Sequence, residues 1–179
     1  MIYIALLRAI NVGGHQPVSM QDLRGLLSEL GFQNARSLLQ SGNLVFGADR
    51  QGAPAVERTL ETKAAQRLGL QTDFVVRTAP EWKSIVARNP FLTEAERDPS
   101  RLVVMFLKSS PRAAAFAAPR AAITGPERLH GEGRHAYIFY PEGIGRSRLT
   151  SVFIERKLGP RGTARNWNTV TKLAEVAES

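Results

Sequence analysis

Residues 19–46 read SMQDLRGLLSELGFQNARSLLQSGNLVF, and their punctuation decides the fold. Ser19 stands at a helix N-cap, with Asp22 three residues on to return the bond. Val18 and Leu23 occupy hydrophobic-staple positions. Leu23, Leu26, Leu27 and Leu30 recur at the helical period, and Gly31 closes the helix. Arg36–Gln40 then reads as a strand, Ser41-Gly42-Asn43 as a tight turn and Leu44–Phe46 as the returning strand of a hairpin. On the N-terminal side, Ile2–Ile10 is a near-continuous apolar run, the mark of a buried strand. Asn11–Pro17 is the loop that joins it to the helix, with Gly13-Gly14 as its turn. On the C-terminal side, Pro54 opens a second helix whose apolar face is Val56, Leu60, Ala64 and Leu68, closed by Gly69. Thr72–Arg77 is a fourth strand. The order β-α-β-β-α-β is that of the ferredoxin-like plait.

The pattern is then repeated. Thr78 with Glu81 caps a connecting helix with Trp82, Ile85 and Val86 on its inner face, and Asn89-Pro90 ends it. Polar Thr93–Ser100 is the expected boundary. Leu102–Leu107 is a strand, Ser110-Pro111 opens an Ala-rich helix ended by Pro119, and Arg128–His130 and Ala136–Tyr140 form a hairpin around 131–134. Thr150 caps a further helix, stapled by Leu149 and Ile154 and stopped by Gly159-Pro160. Thr163–Arg165 is a short strand, and a last helix uses Val170, Leu173 and Val176. The expected fold is α+β with two ferredoxin-like halves, the second a degenerate β-α-β-β-α-(β)-α copy. Residues 1–92 form an N-terminal plait with its connecting helix, and residues 101–179 a C-terminal half with a basic surface.

With 43% apolar residues in 179, the chain can bury a proper core. It has no cysteine, which excludes disulfides, thiolate catalysis and cysteine-ligated zinc and fits a reducing compartment. The first strand carries Arg8 and lacks a signal-peptide pattern, and no apolar run reaches the ~20 residues of a membrane helix. A soluble, cytoplasmic protein without membrane contact is expected. Residues 1–100 hold 11 basic and 10 acidic side chains, net +1, whereas residues 101–179 hold 13 and 6, net +7. Such asymmetry suits a polyanionic partner. The use of 19 Arg to 5 Lys in an Ala-rich chain also fits plain compositional bias.

Two segments mix small, polar and basic residues at the ends of apolar runs. In a plait the first strand and the second run the same way, so the loop after β1 and the turn after β2 share one end of the sheet. Arg8, Asn11, Gly13, Gly14, Ser41 and Asn43 are therefore expected to be neighbours. Glycine N–H groups, a helix N-terminus and a bidentate arginine suit an anion there. The plain alternative is a tight loop whose Asn and Ser satisfy backbone groups. The second segment runs from Arg146 to Lys172 and holds seven basic residues, Arg146, Arg148, Arg156, Lys157, Arg161, Arg165 and Lys172, against one acid, Glu155. Asn166, Trp167 and Asn168 stand at the start of the last helix, with Trp167 available to stack on a base. The alternative is an N-cap and a core tryptophan. The histidines His15, His130 and His135 lack metal-ligand spacing, and no Walker loop, nucleophile elbow or dinucleotide fingerprint occurs. No metal and no cofactor are expected.

Tyr3–Gly14 together with Met20, Leu23, Leu26, Leu30-Gly31-Phe32 and Gln40-Ser41-Gly42-Asn43 strongly resembles the domain of unknown function 1697 family of bacterial proteins. The tail matches too, through Leu149-Thr150, Phe153, Glu155, Lys157-Leu158-Gly159 and Arg165-Asn166-Trp167-Asn168-Thr169-Val170. Ala9 stands where the family is expected to carry Gly. The resemblance implies two plait-like halves and no established activity.

The expected function is anion binding, with a phosphate-rich ligand and most simply nucleic acid, which plaits bind through an open sheet face. Tyr3, Phe46 and Phe74 are the aromatics available to such a face. The alternative is an enzyme acting on a small phosphorylated or carboxylated metabolite between the halves. It would use Arg8, Asn43 and Arg165 as clamps and His15 as acid/base. Under either reading, Arg8, Asn11, Asn43, Arg165 and Asn166, with the N–H groups of Gly13-Gly14 and a helix N-terminus, are expected to form one composite anion site between the halves.

Overall fold

The computed structural model describes residues 1–8 and 18–179. Contacts divide the chain into two units, Met1–Ile85 with Leu173–Ser179, and Val86–Lys172. The sequence places the boundary later, at Thr93–Ser100, and keeps 173–179 with the second half. That polar stretch is instead helical, over α4 (Leu92–Arg97) and a 3-10 turn at Pro99–Arg101.

The first unit runs β1 (Ile2–Leu7), α1 (Met20–Glu29), β2 (Gln33–Leu38), β3 (Asn43–Gly47), α2 (Ala53–Leu68), β4 (Phe74–Thr78) and α3 (Ala79–Ala87). Its sheet has the order β2-β3-β1-β4 with every pairing antiparallel, which is the plait. Tyr3, Ala5 and Leu7 alternate onto the face that α1 and α2 cover. They pack with Leu23, Leu26 and Leu27 of α1, Val56, Leu60 and Ala64 of α2, and Phe46, Phe74 and Val76 of the neighbouring strands. β2 begins three residues before its expected start. Gln33 and Asn34 are polar, Asn34 has φ 53°, and the register shifts between Gln33 and Arg36, so a bulge hides the strand from an alternation pattern.

The capping box that announces α1 is complete. Ser19 N–H donates to Asp22 Oδ2 at 3.1 Å, Ser19 Oγ donates to the same oxygen at 2.7 Å, and Asp22 N–H donates to Ser19 Oγ at 3.0 Å. These bonds hold the Asp22 carboxyl below its ordinary 3.8. A carboxyl whose folded pKa is depressed contributes stability above its unfolded pKa and loses it as pH falls through the folded value. Acidification below about pH 5 should therefore cost the wild-type chain more stability than Asp22→Asn. Identical pH dependence of the two unfolding midpoints would remove the box from the account.

The second unit repeats the scheme after α4. It runs β5 (Leu102–Leu107), a 3-10 turn (Ala113–Phe116) leading into α5 (Ala117–Ala121), β6 (Arg128–Glu132), β7 (His135–Phe139), a 3-10 turn (Ile144–Arg146), α6 (Ser151–Leu158), β8 (Gly162–Asn166) and α7 (Trp167–Glu178). The sheet order β6-β7-β5-β8 reproduces that of the first unit, again all antiparallel. Pro119 does not end a helix but lies in the first turn of α5, where its missing N–H has no intrahelical role. The hairpin is tighter than the sequence suggests, because Glu132 already pairs with His135. Val103, Met105, Leu107, Ala136 and Ile138 face Phe116, Ile154 and Leu158 in the core.

The outward N–H groups of each last strand are met by glutamates from the preceding helix. Phe74 N–H donates to Glu61 and Val76 N–H to Glu57, both at 2.9 Å. The i, i+4 step along α2 matches the i, i+2 step along β4, so one helix face serves one strand edge. In the second unit Glu155 of α6 receives Gly162 N–H at 3.2 Å.

Away from the β2 and β6 edges, the remaining face of each sheet is withdrawn from solvent as well. Ile4, Leu6, Val45 and Val75 are buried in the first, and Leu102, Val104, Phe106 and Tyr137 in the second. Among the described residues no helix is long and apolar enough to cross a membrane.

Candidate functional site

β1 ends in a latch. Leu7 N–H donates to Gly42 O at 2.8 Å and Arg8 N–H to Asp73 O at 3.0 Å, while the Thr72 hydroxyl donates to Arg8 O. The end of β1 and the β2–β3 turn thus share one end of the first sheet, as the plait topology requires. Gly42 has φ 73°, and a Cβ there would lie 2.8 Å from Leu7 Cβ, so the turn needs glycine. Asn43 is fully buried. Its amide donates to Leu38 O at 2.9 Å and Ser41 Oγ at 2.8 Å, which engages it in closing the turn. Asn11, Gly13, Gly14 and His15 lie outside the described residues.

The second unit repeats the latch with different side chains. Leu107 N–H donates to Arg134 O at 2.8 Å and Lys108 N–H to Arg161 O at 2.9 Å. Lys108, Arg134 and Arg161 therefore hold the positions of Arg8, Gly42 and Asp73. Three basic residues stand at the ends of adjacent strands, across two strand spacings or about 10 Å. Arg161 is exposed, and Lys108 and Arg134 are half-buried. Sequence reasoning singled out Arg161 but missed its two neighbours. The signal was available: the register argument that joins Arg8 to Ser41–Asn43 applies equally to β5 and the 133–134 turn.

The expected cluster from Arg146 to Lys172 is not one surface. Arg146 and Arg148 are exposed and flank Ser147, whose hydroxyl donates to Glu127 at 2.5 Å beside the start of β6. That is the opposite end of the sheet from Arg161, because Leu102 pairs with Phe139 there while Leu107 pairs with Gly162 at the other end. Asn166 shares the end with Arg146 and Arg148 but on the far strand, three strand spacings or about 14 Å across the sheet. Asn166 Oδ1 accepts Thr169 N–H at 3.0 Å and so caps α7. Asn168 and Lys172 are exposed on the helix. Trp167 is only 7% exposed, which corrects its expected stacking role: the ring belongs to the interior.

Arg165 pairs in register with Val104, and Arg77 with Ile4, so the two arginines occupy corresponding positions. Both fold back on the chain. Arg77 Nη1 donates to Val76 O at 2.9 Å, and Arg165 Nη1 to Ala164 O at 2.8 Å and Thr163 Oγ1 at 2.7 Å. Burial pushes the Arg165 guanidinium down to about 10, which still leaves it charged at neutral pH. Sequence reasoning missed Arg77, which is almost fully buried.

The aromatics expected on an open sheet face are covered. Tyr3, Phe46 and Phe74 lie on the helix-covered face, with Phe46 stacked on Phe32 and the Tyr3 hydroxyl donating to Gln51 O at 2.7 Å. Among the described residues no group of three or more His, Asp or Glu could hold a metal ion.

The fold has a close counterpart. The conserved bacterial protein SP0830 from Streptococcus pneumoniae superposes with a TM-score of 0.76 over 98% of this chain and 98% of its own, at 24% sequence identity. No curated protein matches the sequence. The family model described as Protein of unknown function (DUF1697) matches residues 1–137, and the chain belongs to that family.

Proposed function

We propose that this is a cytoplasmic protein that binds a phosphate-rich anion, most simply nucleic acid, through the latch end of the second sheet. The observation that carries the reading is the convergence of Lys108, Arg134 and Arg161 at adjacent strand ends, held there by two backbone hydrogen bonds. Three cationic side chains on fixed backbone present a preorganised grip on phosphate oxygens, with no sequence readout needed. Since the central strands are buried on both faces and the sheet aromatics are covered, contact falls on the sheet end and on the sugar–phosphate backbone rather than on stacked bases. The second unit supplies the field, in keeping with the net +7 of residues 101–179.

The test is fluorescence anisotropy with labelled single-stranded RNA and duplex DNA. If about three phosphates are contacted on a single strand, affinity should fall roughly 20-fold between 50 and 200 mM salt. The triple variant Lys108→Ala, Arg134→Ala, Arg161→Ala should lose binding and most of that salt slope. Arg146→Ala with Arg148→Ala, at the other end of the sheet, should keep both. Absence of binding at low salt, or an unchanged slope in the triple variant, would sink the reading. Equal competition by small phosphate esters would instead favour the enzyme of a phosphorylated metabolite.

A further inference from the structure

We propose that the groove along the outer edge of β6 binds a small organic anion with an apolar body. The groove is shallow and open to solvent, with a volume of about 560 Å³, comparable with small-molecule sites. Phe91, Ile123 and Leu129 supply apolar surface, and Arg120, Arg128 and His130 supply cationic or hydrogen-bonding groups. All belong to the second unit, and none belongs to the latch.

The two arginines have different jobs. The Arg128 guanidinium lies over the Phe91 ring at 5.0 Å and the Phe139 ring at 5.4 Å, and it is ion-paired with Glu94. It is a fixed wall. Arg120 is anchored by one bond only, from Nε to Leu129 O at 3.1 Å. Among the described residues its Nη groups have no other partner, and a guanidinium fixed at Nε still offers paired donors to a carboxylate. Glu127, the acid on the lining, is engaged by the Ser147 hydroxyl.

The same Arg120 bond argues against a peptide strand as occupant. Strand addition to β6 would use outward carbonyls of this edge, and Leu129 O is already taken. What fits is a ligand with one planar anionic group for Arg120 and a short hydrocarbon body for Ile123 and Leu129.

The probe is 3-phenylpropionate, with 3-phenylpropionamide as the uncharged match, titrated into full-length protein labelled at Ile and Leu methyl groups. Ile123→Val identifies the Ile123 signal. The Ile123 and Leu129 methyl signals should shift saturably with the acid, and the amide should bind about tenfold more weakly. Arg120→Gln, which keeps a donor for Leu129 O, should reduce the acid to the level of the amide. Ile123→Trp should fill the groove and abolish both responses. No saturable shift at these methyls, equal affinity of acid and amide, or wild-type preference in Arg120→Gln would each overturn the proposal.

Discussion

Gly131→Ala is expected to destabilise the second unit by about 3 kcal/mol, the upper end of what overpacking a core usually costs. A Cβ at Gly131 would lie 2.0 to 2.4 Å from three carbons of the Phe116 ring, far inside contact distance. Phe116 is 4% exposed and packed in the core of that unit, so the ring has no solvent to swing into. The glycine is required by space and not by φ, since Gly131 is not among the residues of positive φ. For a chain of this length, such a loss lowers the thermal midpoint by roughly 6–12 °C. The pairing can be proved by a cycle. Phe116→Leu trims the ring, and the double variant should be more stable than Gly131→Ala alone, because the two changes share one volume. A Gly131→Ala protein that melts with the wild type would show that the β6 backbone relaxes freely.

Glu57→Ala should cost the first unit about 2–3 kcal/mol, in the range for loss of a hydrogen bond to a charged group. Glu57 is 3% exposed, and its carboxylate receives the Val76 N–H inside the protein. Alanine leaves that donor without its acceptor where water has no access. Glu57→Gln retains an acceptor and should lose less. Glu61→Ala, acting on Phe74 from a half-buried position, should also lose less. Amide hydrogen exchange at Val76 together with chemical denaturation reads the effect directly. Protection at Val76 that survives Glu57→Ala would refute the role.

The sequence marks elements well where local chemistry is decisive. The Ser19–Asp22 box, the Thr78–Glu81 cap and the Thr150 cap all form as read, and the two plait orders follow from the hydrophobic runs. It marks them badly where the pattern is short or interrupted. The bulge at Asn34 hides the start of β2, and α4 buries little beyond Ala95, so a polar stretch reads as linker. Tyr3, Phe46 and Phe74 lie on three different strands, so their sharing a face follows from register, and its cover by helices follows from packing. The basic site was half legible. Composition locates the charge in residues 101–179, whereas the grouping of Lys108 and Arg134 with Arg161 depends on strand register, which no composition contains.

One chain that carries the same latch twice separates necessity from specialisation. A feature needed to build a plait should recur at both copies, as the arginine opposite Ile4 and Val104 does, and as the helix glutamate that receives an N–H of the last strand does. A feature that serves one copy's own business is free to diverge, as Arg8, Gly42 and Asp73 do from Lys108, Arg134 and Arg161. The first unit is thus an internal control for the second. Exchanging Arg134 for Gly and Arg161 for Asp would ask the duplicated backbone to keep its shape while giving up its charge.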